Sequence, residues 1–481
     1  MSGSRYESNL ERGTVTLAVL AVLAIVWRYM DALGDTFWYV AAGRWMLDTG
    51  RLPQTDPFTF TALGSPWIAW TPLSYVAFAL IERHTGLFGL LVAASLVSAL
   101  AHLLAWLPHS RGATRWLLLP LVLLVAFSQR DDACARGQVL ADLCFALFLW
   151  ALLRMGAGRT SELSRRQSVG LYVGLVLLGS VWMNSHQSGF VPLLLVPAYA
   201  LGIAGEKTPR RTRLFHLAGA LAALLYGALI TPYGPRLFVE AMGHVAAPIS
   251  ETIDLFQSPD FARVDVLLIV GAAAAALATA LRDERPGRRG EALLLVALLS
   301  ASLTGRRYLP WLGFATIASL GRVDAAAVLP ALVARQRHLR LAVATISIAV
   351  SAFGFSVSKN PLRDVPVGGV RAIDALGLPD RVYNTYHWGG YLLYVWGGSA
   401  RTFIDGRLYP FDRNEVHRDA WHIHAVAADA GALLETYQIN TVLTERGSPL
   451  HAALGRRRDW ALRYEGPIEV VFVRRSPLPV E

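Results

Sequence analysis

From Gly13 to Ser358 the chain is a succession of apolar runs broken by short loops rich in Arg or in aromatic side chains. The runs are about 15 to 22 residues long, which is what a helix needs to cross roughly 30 Å of hydrocarbon at about 1.5 Å per residue. The pattern predicts eleven spans, at 13–29, 86–107, 115–127, 139–154, 167–183, 188–204, 213–230, 263–282, 290–304, 307–320 and 340–357. After Ser358 no comparable run occurs, and charges of both signs come into near balance. The predicted organisation is a transmembrane domain over 1–358, with a first external loop at 30–85, and a soluble domain over 359–481.

One further segment, 66–83, is apolar but is interrupted by Pro66, Pro72 and the pair Glu82-Arg83. Whether it crosses the membrane sets the parity of everything after it. Four loops are basic: Arg154, Arg159, Arg165 and Arg166; Lys207, Arg210, Arg211 and Arg213; Arg282, Arg285, Arg288 and Arg289; Arg322, Arg335, Arg337 and Arg340. With eleven spans all four fall on one side, which the excess of Lys and Arg in cytoplasmic loops marks as the inside. If 66–83 also crossed, either Arg5 and Arg12 or these four loops would be outside. The segment is therefore expected to lie along the outer interface, with the N-terminus inside and the C-terminal domain periplasmic.

Composition agrees. Of 481 residues, 54% are hydrophobic and only 17% charged, against about a quarter charged in soluble chains; the mean hydropathy is +0.40. The net charge of +10 does not indicate nucleic acid, because the cations sit in the loops between spans. Cys134 and Cys144 lack metal-ligand spacing, and Cys144 falls within an apolar helix, so both read as packing residues. The first apolar run has no small-residue cleavage site after it and reads as a retained span rather than a signal peptide.

The unusual polar residues then fall on the outer face. The first external loop carries Asp31, Asp35, Arg44, Asp48 and Asp56 among Trp38, Tyr39, Trp45, Trp67 and Trp70. Arg130, Asp131, Asp132 and Arg136 lie between the third and fourth spans, Asn184-Ser185-His186 between the fifth and sixth, and Arg306-Arg307-Tyr308 between the ninth and tenth. Thr231-Pro232-Tyr233-Gly234 opens a long loop that also holds His244, Glu251 and Asp254. Structural readings stand beside the functional ones: a belt of interfacial aromatics, a solvated loop or helix cap at Asp131-Asp132, and a helix stop at Pro232 and Gly234. His186 is balanced between a turn residue and a ligand. The helix interiors hold almost no ionisable group, Asp142 near an outer end being the exception. A transporter would place charges or broken helices near the midplane; charges at one surface suit chemistry on a lipid-linked substrate.

The order of these motifs resembles a bacterial branch of the GT-C membrane glycosyltransferases, distantly similar to protein mannosyltransferases and oligosaccharyltransferase catalytic subunits. The resemblance rests on Asp35-Thr36-Phe37-Trp38-Tyr39, Ala42-Gly43-Arg44 and Asp56-Pro57-Phe58, then Trp182-Met183-Asn184-Ser185-His186, Thr231-Pro232-Tyr233-Gly234 and Arg306-Arg307-Tyr308. Trp388-Gly389-Gly390-Tyr391 and Phe403-Ile404-Asp405-Gly406-Arg407 complete it. It implies a sugar taken from a polyprenyl-phosphate-linked donor, with Asp35 as general base on the acceptor hydroxyl and Asp31, on the same face if the helix continues, as second choice. It further implies Arg306 and Arg307, with Arg136 behind them, on the donor phosphate. His186 and Asn184 would hold sugar or phosphate oxygens, and Trp388, Tyr391, Asp405 and Arg407 would meet the acceptor. The peptide-acceptor motif Trp-Trp-Asp-Tyr-Gly lacks its carboxylate here, where the chain reads His387-Trp388-Gly389-Gly390-Tyr391. No second acidic loop completes a metal site, so no cofactor is predicted, although a divalent metal is possible.

In the C-terminal region short apolar runs at 381–384, 401–404, 441–443 and 469–473 alternate with helical stretches at 388–396, 422–437 and 449–457, predicting a small α/β domain. Asp405-Gly406-Arg407 follows a strand, where ligands often bind, or is a plain strand-end turn. The function expected is a periplasmic-face glycosyltransferase of a bacterial inner membrane, its partners the lipid bilayer, a polyprenyl-phosphate-linked sugar and a glycan, lipid or protein acceptor. The alternatives are a non-catalytic binder of glycan or lipid carrier in envelope assembly, and a transporter or flippase.

Overall fold

The computed structural model describes residues 2–207, 210–237, 257–378, 380–407, 409–412 and 415–478. Helices occupy all eleven predicted spans. They are α1 (Ser2–Tyr29), α3 (Pro72–Trp106), α4 (Gly112–Ser128), α5 (Gly137–Gly156), α6 (Arg165–Ser185), α7 (Pro192–Ala204), α8 (Arg211–Leu229), α9 (Val264–Arg282), α10 (Arg288–Thr304), α11 (Leu309–Gly321) and α12 (Gln336–Phe355), with α2 (Gly34–Thr49) in the first loop. Among the described residues eight helices are long and apolar enough to cross a membrane. The other three, α4, α10 and α11, have 17, 17 and 13 residues, the first two at the lower end of the usual spanning range of about 17–25 and the last below it. The segment expected at the interface becomes the first part of α3, which starts at Pro72 and breaks at Gly86, where φ is 68° and ψ 179°. The protein is a multi-pass, α-helical membrane protein with a small C-terminal sheet domain.

The chain divides into two compact units: residues 1–30, 91–133 and 137–358 in the first, and 31–90, 134–136 and 359–481 in the second. In the first, Leu177, Leu194, Leu201, Phe215 and Leu281 stand exposed on their helices, as side chains facing lipid would. Helices α6 and α8 pack closely because their contact uses glycine: a Cβ at Gly227 would lie 2.0 Å from the Val176 carbonyl oxygen, and one at Gly179 2.2 Å from that of Leu224. Small residues give apolar helices the close approach that the hydrophobic effect cannot enforce inside lipid.

Charge is sorted to the two ends of this unit. At one end the basic loops bind each other: Arg213 donates to the Gly156 carbonyl (3.0 Å) and to Glu206 (2.6 Å), Glu206 accepts from the Gly287 amide (3.0 Å), Arg288 and Arg322 both bind Glu291, and Arg285 donates to the Arg322 carbonyl (2.9 Å). At the other end Arg130 pairs with Asp265 (2.9 Å), Arg263 with Asp131 (2.6 Å) and Asp265 (2.7 Å), and Arg306 with Asp132 (2.6 Å). Asp142 accepts from Gln138 (2.7 Å) and Trp311 (2.8 Å), so its carboxylate is satisfied near its helix end.

The second unit contains a four-stranded sheet of β1 (Val382–Asn384), β2 (Thr441–Glu445), β3 (Trp460–Glu465) and β4 (Glu469–Arg474), in the order β1-β2-β4-β3. The β1–β2 pair is parallel and the other two are antiparallel. The short helix α13 (Gly389–Trp396) lies against α2. The first loop joins the sheet's core. Ala62 is buried among Tyr383, Phe403, Ile404 and Val442, with Phe60 against them, and Thr59 and β1 both bridge to Thr402. The buried Asn384 side chain fixes the following turn, donating to the Ile404 carbonyl (2.8 Å) and accepting from the Phe403 amide (2.9 Å).

Replacing Gly227 by Ala should lower the melting temperature of the full chain by several degrees, because the added methyl meets backbone rather than a side chain that can turn away. A thermal melt in detergent checks this; an unchanged midpoint would show that α6 and α8 separate freely.

Candidate functional site

Asp35 occupies the first turn of α2, where the exposed amides and helix dipole favour a carboxylate. Leu33 ahead of it is extended, with φ −99° and ψ 178°, so the condition for Asp31 to share the helix face, a helix running back through it, is not met. Asp31 instead forms a parallel bridge with Cys134, and its carbonyl accepts from the Ala135 amide (3.2 Å). That bridge registers 134–136 beside the start of α2 and delivers Arg136 to Asp35. The Arg136 Nη1 lies 2.9 Å from Asp35 Oδ2, and the Trp38 Nε1 donates to Asp35 Oδ1 at 3.0 Å. The carboxylate is thus aimed by two donors while a third of the side chain stays exposed (33%). Asp31 Oδ1 accepts from the Ala32 amide (3.0 Å), and Oδ2 lies 3.6 Å from Arg363.

Asp405-Gly406-Arg407 meets Asp56-Pro57-Phe58, 351 residues away. Arg407 Nη1 binds Asp56 (2.7 Å), while its Nε (2.8 Å) and Nη2 (2.7 Å) bind Asp405. Its guanidinium also lies 4.8 Å from the Phe58 ring centroid and 4.6 Å from that of Trp67. Asp56 in turn accepts from the Phe58 amide (3.0 Å) and the Thr59 hydroxyl (2.5 Å). All three charges are buried, at 1%, 0% and 0% side-chain exposure for Arg407, Asp56 and Asp405. Burial raises the Asp405 pKa and the adjacent guanidinium offsets only part of that rise. For Arg407, burial works to lower the pKa, but the two carboxylates outweigh it and hold the cation charged.

Asp405 and Arg407, expected at the acceptor, are engaged with each other and with Asp56: each nitrogen position of the guanidinium is occupied by a carboxylate, and both side chains are buried. Trp388 and Tyr391, expected there too, also face inward. Both are buried; Trp388 donates to the Asp364 carbonyl (3.2 Å) and Tyr391 packs edge-on against Phe37 at 5.3 Å. The glycines of that motif serve packing, since a Cβ at Gly390 would stand 2.0 Å from the Gly34 carbonyl oxygen. What the buried turn does present is Gly406, where a Cβ would lie 3.1 Å from both Asp35 Oδ1 and Trp38 Nε1. The sequence assigns Trp38 to the aromatic belt and to the motif that begins at Asp35 but gives it no role of its own, although its place one turn after Asp35 is a legible signal. The contact through Gly406 leaves no local signal. The same holds for the cluster in which Glu82 binds Arg44 (2.7 Å) and accepts from the Tyr394 hydroxyl (2.9 Å).

In the first unit Arg306 pairs with Asp132, while its buried Nε finds no partner among the described residues. Arg307 donates to the Tyr308 hydroxyl (2.9 Å). Asp131 and Asp132, expected as a solvated loop or cap, are ion-pair partners. Asn184 is a strut, donating to the Ser180 and Ile230 carbonyls at 2.8 Å each. His186 Nδ1 caps its own turn, 2.8 Å from the Ser188 hydroxyl and 3.2 Å from the Ser188 amide, which favours the turn reading. His244, Glu251 and Asp254 lie outside the described residues.

A metal does not fit the carboxylates of the second unit. Asp35, Asp31 and Asp56 each face an Arg where a cation would have to stand, and no group of three or more His, Cys, Asp or Glu among the described residues could hold a metal ion.

A multi-pass helical bundle with a small α/β sheet domain is a fold this chain shares with solved GT-C glycosyltransferases. ArnT from Cupriavidus metallidurans bound to undecaprenyl phosphate aligns over 95% of this chain and 97% of its own, with a TM-score of 0.59 and 14% identity. The archaeal oligosaccharyltransferase AglB from Archaeoglobus fulgidus, in complex with an inhibitory peptide and a dolichol-phosphate, aligns over 90% of this chain and 69% of its own (TM-score 0.57, 11% identity); a structure of the same enzyme is a complex with zinc and sulfate. The arabinofuranosyltransferase AftD from Mycobacteria aligns over 97% of this chain but 40% of its own (TM-score 0.56, 12% identity). No family model matches the chain, and no curated protein matches it in sequence.

Replacing Arg407 by Met should destabilise the second unit by about 3–5 kcal/mol, because two buried carboxylates are left facing each other. Thermal or denaturant melts of the full chain, followed through the second unit's tryptophans, provide the check; an unshifted transition would mean the triad is not under strain when broken.

Proposed function

We propose that this chain is a glycosyltransferase that moves a sugar from a polyprenyl-phosphate-linked donor to an acceptor hydroxyl at the periplasmic face of a bacterial inner membrane, with the N-terminus cytoplasmic. The observation that carries the proposal is the Asp35 carboxylate, aimed by Arg136 and Trp38 yet open to solvent on one side. Asp35 takes the proton from the acceptor hydroxyl. The acceptor oxygen forms a bond to the anomeric carbon of the sugar as the bond from that carbon to the phosphate oxygen breaks. Polyprenyl phosphate leaves with the electron pair, and guanidinium groups neutralise its charge. Arg136, beside Asp35 in the second unit, is the guanidinium proposed for that task. Asp31, outside the helix and near Arg363, is assigned an orienting role rather than a second base.

Three further findings support the reading. The structures that share the fold include one bound to undecaprenyl phosphate and one bound to dolichol-phosphate. The polar residues avoid the helix interiors, and the basic loops gather at the opposite end of the first unit from Arg306, the arrangement expected of a cytoplasmic side. One structure that shares the fold holds zinc; among the described residues no group of three or more His, Cys, Asp or Glu could hold a metal ion, and the step proposed here uses only side chains.

Asp35→Asn should lower transfer by at least about 100-fold, the scale of a lost general base, while leaving the fold and the affinity for polyprenyl phosphate unchanged. Release of polyprenyl phosphate from a labelled donor, with lipid binding measured in parallel, checks this; transfer at the wild-type rate would remove Asp35 from the mechanism. Gly406→Ala tests how the carboxylate is positioned. Its methyl presses on Asp35 Oδ1 and should lower kcat about tenfold with little change in KM, whereas an unchanged kcat would show that the turn does not set the carboxylate's aim.

A further inference from the structure

Between α5 and α6 in the first unit lies a cavity of about 410 Å³, within the roughly 300–1,000 Å³ range of clefts that hold small ligands. Its walls are largely apolar, with Leu147 on α5 and Leu171 and Leu178 on α6. Two further wall residues, Gly170 and Gly174, stand one turn apart on α6, and a Cβ on either would meet nothing within 4 Å. Glycines on apolar helices ordinarily admit a neighbouring helix, as Gly179 does farther along α6. Gly170 and Gly174 admit none, so that stretch of the helix is left as an open furrow.

One end of the cavity is cationic and polar. Arg154 closes α5, and Arg159 and Thr160 follow in a short 3₁₀ turn; all three line the cavity. Neither arginine pairs with a carboxylate among the described residues. Arg154 is held over the Trp150 ring, 5.0 Å from its centroid. Thr160 is 5% exposed, and its hydroxyl has no hydrogen-bond partner among the described residues, which is costly for a buried polar group unless something else fills the site. This end belongs to the basic loops, on the other end of α5 from Arg136.

We propose that this cavity is a structural lipid site, in which one acyl chain of an anionic phospholipid lies along Gly170 and Gly174 and the phosphodiester binds Arg154, Arg159 and the Thr160 hydroxyl. An apolar trough with a cationic mouth, on helices that carry exposed leucines, complements an amphiphile with an anionic head. Basic pockets between helices near the cytoplasmic leaflet select such lipids. The proposal does not depend on the transferase reading, because the site is built from other residues.

Native mass spectrometry of the full chain released from mixed micelles tests it, with phosphatidylglycerol and phosphatidylcholine of identical acyl chains as probes. Wild-type protein should retain phosphatidylglycerol at least about tenfold better. Replacing Arg154 and Arg159 by Gln should weaken that binding about fivefold each, and Lys at both positions should restore it. Gly174→Leu should reduce binding of both lipids without changing the melting temperature, because its side chain enters open space; Gly174→Ala should have a smaller effect of the same sign. Equal retention of the two lipids by wild type would overturn the proposal, as would phosphatidylglycerol binding that none of the variants changes. Displacement of phosphatidylglycerol by an equimolar amount of polyprenyl phosphate would also overturn it, by giving the site to the donor's carrier.

Discussion

A single guanidinium organises the second unit. Arg407 sits between Asp56 of the first loop and Asp405 of the C-terminal domain, with none of the three charges exposed. Three charges taken out of water are tolerable only when each is fully paired and hydrogen-bonded. Here the Phe58 amide and the Thr59 hydroxyl supply the remaining bonds to Asp56, while the Arg407 amide supplies one to Asp405 (2.9 Å). The geometry of the unit follows from that requirement. The loop cannot move away from the sheet without leaving a buried carboxylate unpaired. Gly406, held between the two paired residues, is fixed against Asp35 and Trp38. The candidate base is therefore positioned from three directions: by Arg136, by Trp38 and by a backbone that a buried ion triad holds still.

The first unit follows a different logic. Its helices are nearly all apolar, so burial of apolar surface does not decide which helices touch, and glycine contacts such as Gly227 on Val176 do that work. Its charges lie in loops at the two ends, and each end is tied together by ion pairs in its own way. One end uses buried Glu206 and Glu291 to bind arginines from several loops. The other uses Asp131, Asp132 and Asp265 against Arg130, Arg263 and Arg306. In the second arrangement the Arg306 Nε has no partner among the described residues.

Local pattern alone revealed the helices, because a run of apolar residues states its own length, and each expected span is helical. Eight of these helices are long and apolar enough to cross a membrane among the described residues, while α4, α10 and α11 are the shorter ones. The small α/β domain was legible from its alternating short runs. Asp35 and Arg136 were legible as candidates, but their pairing was not, since it depends on a backbone bridge between Asp31 and Cys134, about a hundred residues apart in sequence. The burial of Asp405 and Arg407 was hidden for the same reason. A charged pair at a strand end looks like a ligand site until the partner that buries it is known, and Asp56 lies in a different part of the chain. Asn184 and His186 show the converse: a polar turn beside a membrane helix drew a functional reading, while their hydrogen bonds serve the turn itself.

The proposed transfer requires a polyprenyl phosphate bound where Asp35 can act on the acceptor. An experimental structure of the full chain with polyprenyl phosphate added is the decisive measurement. Phosphate density is expected within hydrogen-bonding distance of Arg136, with the Asp35 carboxylate facing the bound head group and Arg407 still enclosed by Asp56 and Asp405. Phosphate density at a site that leaves Asp35 and Arg136 paired only with each other, with no head group before them, would contradict it.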